Sequence, residues 1–85
     1  MSAREYVLII DDDPAITEAL AMLLDEDGRT TIICSDVESA EIMLARYPVT
    51  HVLTDVQFSG WVAAVTGGAA FISGFLAIIL PEKKG

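Results

Sequence analysis

The chain of 85 residues has a single cysteine, Cys34, which excludes an internal disulfide and leaves no thiolate set for a structural metal. Cys34 therefore reads as a small apolar residue inside a buried strand. Lysine is absent before Lys83, and only Arg4, Arg29 and Arg46 stand against twelve acids in residues 1–60. So acidic a head is repelled by phosphate backbones, which argues against nucleic-acid binding. Its one histidine, His51, has no Cys or second His nearby to complete a ligand set, and reads as a strand-edge residue. The opening MSAREY holds no apolar run of the kind a secretory signal needs. Residues 61–80 carry no charge at all, and 81–85 form a short charged tail. Composition thus divides the chain into 1–60, 61–80 and 81–85.

What is present in the first part is a regular alternation. Val7–Ile10 is an unbroken apolar run, as a strand covered on both faces requires. It stops at Asp11-Asp12-Asp13-Pro14, where Asp13 is placed to cap a helix that Pro14 opens. Ile16, Leu20, Leu23 and Leu24 then recur at the spacing of one helix face, and Gly28 ends the segment. Thr30–Cys34 is a second strand. Ser35 and Glu38 have the spacing of a capping box, followed by a helix burying Val37, Ala40, Leu44 and Tyr47 up to Pro48. His51–Thr54 is a third strand, running into Asp55. Strand, helix, strand, helix, strand with short connections implies parallel strands and right-handed crossovers.

The chemistry of such a sheet lies at the carboxyl ends of its strands. Asp11, Asp12 and Asp13 follow the first strand and Asp55 follows the third. In the usual order 2-1-3 those two strands are neighbours. Asp13 and the run Asp25–Asp27 read as cap and solvated surface, but Asp11, Asp12 and Asp55 follow buried strands, where charge is costly without a purpose. Crowded carboxylates call for a cation, and an all-oxygen site with room for water suits Mg²⁺.

At this point the stretch VLIIDDDPAITEALAMLLDEDG, followed by a strand, a helix and HVLTDVQFSG, resembles the bacterial receiver domain of two-component signalling. The likeness covers residues 6–60 and implies the first half of a flavodoxin-like α/β fold. It implies that Asp55 accepts a phosphoryl group from a histidine kinase or phosphotransfer protein. It assigns Asp11 and Asp12 to Mg²⁺, with the backbone carbonyl of Gln57 as a further ligand. A cytoplasmic signalling module, and no enzyme, is the corresponding expectation. Receivers also carry a hydroxyl after strand four and a lysine after strand five. Here Thr66 is the candidate hydroxyl, the lysine has no counterpart, and Ser59 lies near where the family has a proline.

The apolar segment WVAAVTGGAAFISGFLAIIL has three readings. Twenty uncharged residues suffice for a membrane helix, with Trp61 and Lys83-Lys84 as interfacial anchors. The segment also divides into a strand (61–65), a Gly67-Gly68 turn and a helix (69–80), a β-α unit docked on the sheet. Within it VTGGAAFISG resembles the nucleotide-binding turn of the extended short-chain dehydrogenases, with Ala70 and Ser73 in place of two spaced glycines. The third reading is a truncated or fused end to a half domain. Any of these leaves a sheet edge or an apolar face through which copies of the chain can associate.

Overall fold

The computed structural model describes residues 5–73 and 76–81. The apolar run becomes β1 (Tyr6–Ile10), and Asp13 caps α1 (Pro14–Glu26) by accepting a hydrogen bond from the Ala15 N–H at 3.0 Å. Gly28 takes a left-handed φ of 80° just past the helix, a conformation that costs glycine nothing. β2 (Thr30–Cys34) and α2 (Val37–Arg46) follow. The cap of α2 is Asp36, one residue later than the Ser35 box predicts. Its carboxylate accepts from the Ser39 N–H at 2.7 Å, and that bond holds Asp36 below the usual carboxylate range.

β3 (Val49–Asp55) leads directly into α3 (Val56–Thr66), and a hairpin of β4 (Ala69–Ser73) and β5 (Leu76–Leu80) completes the chain. The five strands form one mixed sheet in the order β2-β1-β3-β5-β4. β1 runs parallel to both β2 and β3, giving the flavodoxin-like parallel order 2-1-3, and β5 adds to β3 antiparallel. One irregularity interrupts the β1–β3 ladder, where Thr50 is the extra residue and its hydroxyl donates to the Tyr6 carbonyl at 3.2 Å. The main core lies on one face. There Leu8, Ile10, Cys34, Val52 and Ile79 of the sheet meet Ala40 of α2 and Val62 of α3. Each fully buried Leu, Ile or Val contributes about 1.5–3 kcal/mol. Among the described residues α1 is the one helix on the opposite face, with Leu20 and Leu24 near Val7, Leu53 and Ile78, and there Val7 and Ile9 are buried.

The segment 61–80 is neither the expected membrane helix nor a strand–turn–helix unit. Trp61–Thr66 is the second half of α3, which runs unbroken across the change of composition at Gly60. Ala69–Ser73 and Leu76–Leu80 are strands. Among the described residues no helix is long and apolar enough to cross a membrane. Lys83 and Lys84, the expected anchors, lie outside the described residues, as does Phe75. The physical reason for the hairpin is the open edge of β3. Its free backbone groups need partners, and β5 supplies them along Val52–Asp55. β5 then alternates as a strand must, with Ala77 and Ile79 buried while Ile78 and Leu80 turn outward. The glycine turn is likewise reversed relative to a dinucleotide site: a helix enters Gly67-Gly68 and a strand leaves it.

Those two glycines differ in role. Gly67 closes α3 with a left-handed φ of 69°, its N–H donating to the Ala63 carbonyl at 2.8 Å. Gly68 instead marks a close approach, because a Cβ there would sit on the carbonyl oxygen of Leu80. Gly68→Ala is therefore expected to lower stability by roughly 1–3 kcal/mol, read as a reduced urea midpoint with an unchanged slope.

Candidate functional site

The acids at the carboxyl edge are positioned by the register of β1 against β3. Ile10 pairs with Thr54, so the residues that follow, Asp11 and Asp55, sit at one level on adjoining strands roughly 4.8 Å apart. Asp11 is only 6% exposed. Its backbone N–H donates to the Cys34 carbonyl at 3.1 Å, and its Oδ1 accepts from the Asp13 N–H at 3.0 Å. Asp12 is exposed at the rim. Asp55 is half-buried and caps α3, with Oδ1 accepting from the Gln57 N–H at 3.3 Å.

The sheet thus assembles Asp11, Asp12 and Asp55 at one edge, and among the described residues no ion pair balances them. Both ion pairs among the described residues belong to Arg29, with Glu5 at 2.6 Å and with Asp27, at the start of β2 and the opposite edge. The donor chemistry of Asp11, Asp12 and Asp55, hard carboxylate oxygens without an ion-pair partner among the described residues, suits a small divalent cation. Their orientation is that of caps: among the described residues no three such side chains converge closely enough to hold a metal ion. The Asp55 cap is long and local, so a change of its χ angles frees both oxygens.

Of the other expected site residues, Gln57 stays beside Asp55 and Thr66 does not. Gln57 stands in the first turn of α3, where a carbonyl belongs to the helical ladder. Thr66 ends α3 at the far edge of the sheet, with Tyr47, Pro48 and Val49 around a cavity of about 420 Å³. Its hydroxyl donates to the Val62 carbonyl at 2.8 Å and accepts from the Gly68 N–H at 3.2 Å, so it closes a helix and does not approach Asp55.

Two neighbours of the acids have places the sequence does not announce. Leu76 pairs directly with Asp55, giving the acid an apolar flank on the side away from β1. Ser59 is buried, its hydroxyl donating to the Val56 carbonyl at 2.7 Å, which tightens the first turn of α3 behind Asp55. Ser59 is noticed only as standing near the family's proline and Leu76 not at all, since both places follow from a helix and a hairpin that the sequence does not signal. Cys34 lies beside Asp11, and burial pushes its thiol up, with the Asp36 carboxylate adding to the shift. It is a poor nucleophile in that state.

No protein-family model matches the chain, and no solved structure matches it. Among curated proteins it is similar to the transcriptional regulatory protein AruR of Pseudomonas aeruginosa, at 39% identity over 65 residues. The match covers 71% of this chain and 27% of that protein, so the chain spans about a quarter of the relative's length. A distant match to a bacterial regulator thus accompanies a flavodoxin-like β-α-β-α-β start whose parallel strands run in the order 2-1-3.

Proposed function

We propose that the chain is a receiver-like phosphoryl acceptor of a response regulator, with Asp55 as the accepting group. The observation that carries this reading is the pairing of β1 with β3, which sets Asp55 beside Asp11 and Asp12 at an edge where, among the described residues, no ion pair engages them. A carboxylate oxygen of Asp55 attacks phosphorus in line. The bond from phosphorus to the donor's imidazole nitrogen breaks, the nitrogen keeps the electron pair, and an acyl phosphate results. Asp11 and Asp12, with Asp55, would hold Mg²⁺, which supplies neutralisation of the phosphoryl oxygens. The Gln57 carbonyl joins that set only if the first turn of α3 opens. Asp11, held by the Asp13 N–H, keeps its carboxylate at the edge of β1 and fixes the spacing to Asp55. The partner is a histidine kinase or phosphotransfer protein, the compartment is the cytoplasm, and the chain acts as an acceptor with no turnover of its own.

A second reading is a scaffold that retains the receiver half without signalling. It is favoured by Leu76 in the place beside Asp55 and by Thr66 at the wrong edge. Incubation with acetyl phosphate and Mg²⁺, followed by intact mass, separates the two. The parent is expected to gain one phosphoryl group and Asp55→Asn none. A parent that gains nothing removes the acceptor reading and leaves the scaffold.

A further inference from the structure

We propose that a second copy of this chain covers the uncovered half of the sheet, each copy inserting α1 into a groove of the other. The inference is independent of phosphoryl chemistry and rests on the face opposite the main core. Strand register lines up Ile33, Ile9, Leu53, Ile78 and Phe71 as one row across all five strands. α1 covers this row over β1, where Ile9 is 1% exposed, but leaves Ile78 at 43% and Phe71 at 59%. Beside α1 runs a cavity of about 360 Å³ lined by Leu20, Leu53, Phe71, Ile72, Leu76 and Ile78. A second of about 230 Å³ continues it, sharing Leu53 and Ile78 and adding Leu24 and His51. The uncovered strands β3, β5 and β4 span roughly 10–14 Å, the width of one helix.

The chain itself supplies a helix of the required kind. α1 carries two apolar stripes. Thr17, Leu20 and Leu24 turn to its own sheet, while Ala15, Ala19, Met22 and Leu23, at the spacing i, i+4, i+7, i+8, face outward. Met22 is 67% exposed and Leu23 65%, although the hydrophobic pattern predicts Leu23 as core. Glu18 and Asp25 lie on the flank between the stripes, so the outward stripe is uncharged until Glu26. At 13 residues α1 is roughly 20 Å long, which matches the strands it would cross.

A chain that bears both an empty slot and a spare helix face is self-complementary, and a two-fold axis satisfies both at once. The two α1 helices then form a filled layer between two sheets. The whole chain has surface to spare: its accessible 5510 Å² exceeds by roughly 600 Å² what a folded monomer of 9.1 kDa typically exposes, and a standard interface takes about 800 Å² per partner. The charge distribution permits the contact. With a net charge of −8 two copies repel overall, but the row Ile9, Leu53, Ile78 and Phe71 carries no charge, and the groove meets the acidic edge at one end alone, where Leu76 adjoins Asp55.

Sedimentation equilibrium of the full chain over a concentration series tests the assignment. The expected mass is twice 9.1 kDa. Leu23→Glu and Phe71→Glu should each weaken the dimer by about a hundredfold with unchanged circular dichroism. As a second readout, an equimolar mixture of Leu23→Cys and Ile78→Cys chains should form a crosslinked heterodimer on mild oxidation, with buried Cys34 silent. A folded parent that stays monomeric overturns the proposal and assigns the slot to another occupant. A dimer that survives both glutamate variants and gives no crosslink overturns it as well, and moves the interface to another surface such as the β4 edge.

Discussion

Ile79→Asp is expected to abolish cooperative unfolding, leaving a chain whose circular dichroism changes without a transition in urea. Ile79 is fully buried, pairs with Val52 across the β3–β5 ladder and contacts the cluster that includes Leu8, Ile10 and Val62. Truncating such a side chain costs about 2–5 kcal/mol, and an unpaired carboxylate in its place adds a desolvation penalty of its own. A domain of this size has only about 4–13 kcal/mol in hand. Ile78→Asp, one residue away, is the control: its side chain lies on the other face and is partly exposed, so the fold should persist. A native-like midpoint for Ile79→Asp would mean that the hairpin is not docked through β5.

The second large effect concerns the acids. Replacing Asp11 and Asp12 together by asparagine is expected to slow phosphoryl uptake from acetyl phosphate at least about a hundredfold. Neutralising the transferring group is worth several kcal/mol, and each 1.36 kcal/mol is a factor of about ten. The fold should survive because an asparagine Oδ1 at position 11 still accepts from the Asp13 N–H, the contact that Asp11 makes. A direct measure of the cation is thermal stability. Mg²⁺ at about a hundred times its dissociation constant should stabilise the parent by roughly 2.7 kcal/mol and the double variant not at all. An equal thermal shift in both would remove Asp11 and Asp12 from the cation's ligands.

How far the residues announce this arrangement depends on the segment. β1, α1, β2, α2 and β3 are readable because each apolar run ends in a residue with one local use: Asp13 before Pro14, Gly28 with its positive φ, Pro48 after α2. The adjacency of Asp11 and Asp55 follows from that order. Even there the cap of α2 shifts by one residue, because the Asp36 carboxylate reaches the Ser39 N–H in place of the Ser35 hydroxyl.

Beyond Asp55 legibility ends for a physical reason. α3 includes Gly60 and the β-branched Val56, Val62 and Val65, weak helix formers that give no helix signal. β4 and β5 alternate between two apolar faces, so neither the period of a helix nor that of a strand stands out. Tertiary demand decides instead, through the unpaired edge of β3. Thr66 suits the hydroxyl role only if 61–65 is a strand, and the helix carries it to the far edge. Leu23 fits the inward pattern by spacing, yet the helix sits with Thr17 toward the sheet and turns Leu23 outward.

The antiparallel seat of β5 beside β3 also bears on how the sheet assembles. A parallel strand in that place would need a crossover of a dozen or more residues, with the whole excursion ordered before any pairing is gained. The β4–β5 hairpin is a local structure that forms in about 1–10 μs, and it can dock in one step on the β3 edge. The slow event is then the pairing of β1 with β3, which joins residues as distant as Tyr6 and Val49. Sealing the half sheet asks only for two short strands whose inward positions, Ala77 and Ile79 in β5, fit Val52 and Thr54. The β3 edge thus constrains the docking hairpin at two inward positions and leaves its outward ones free.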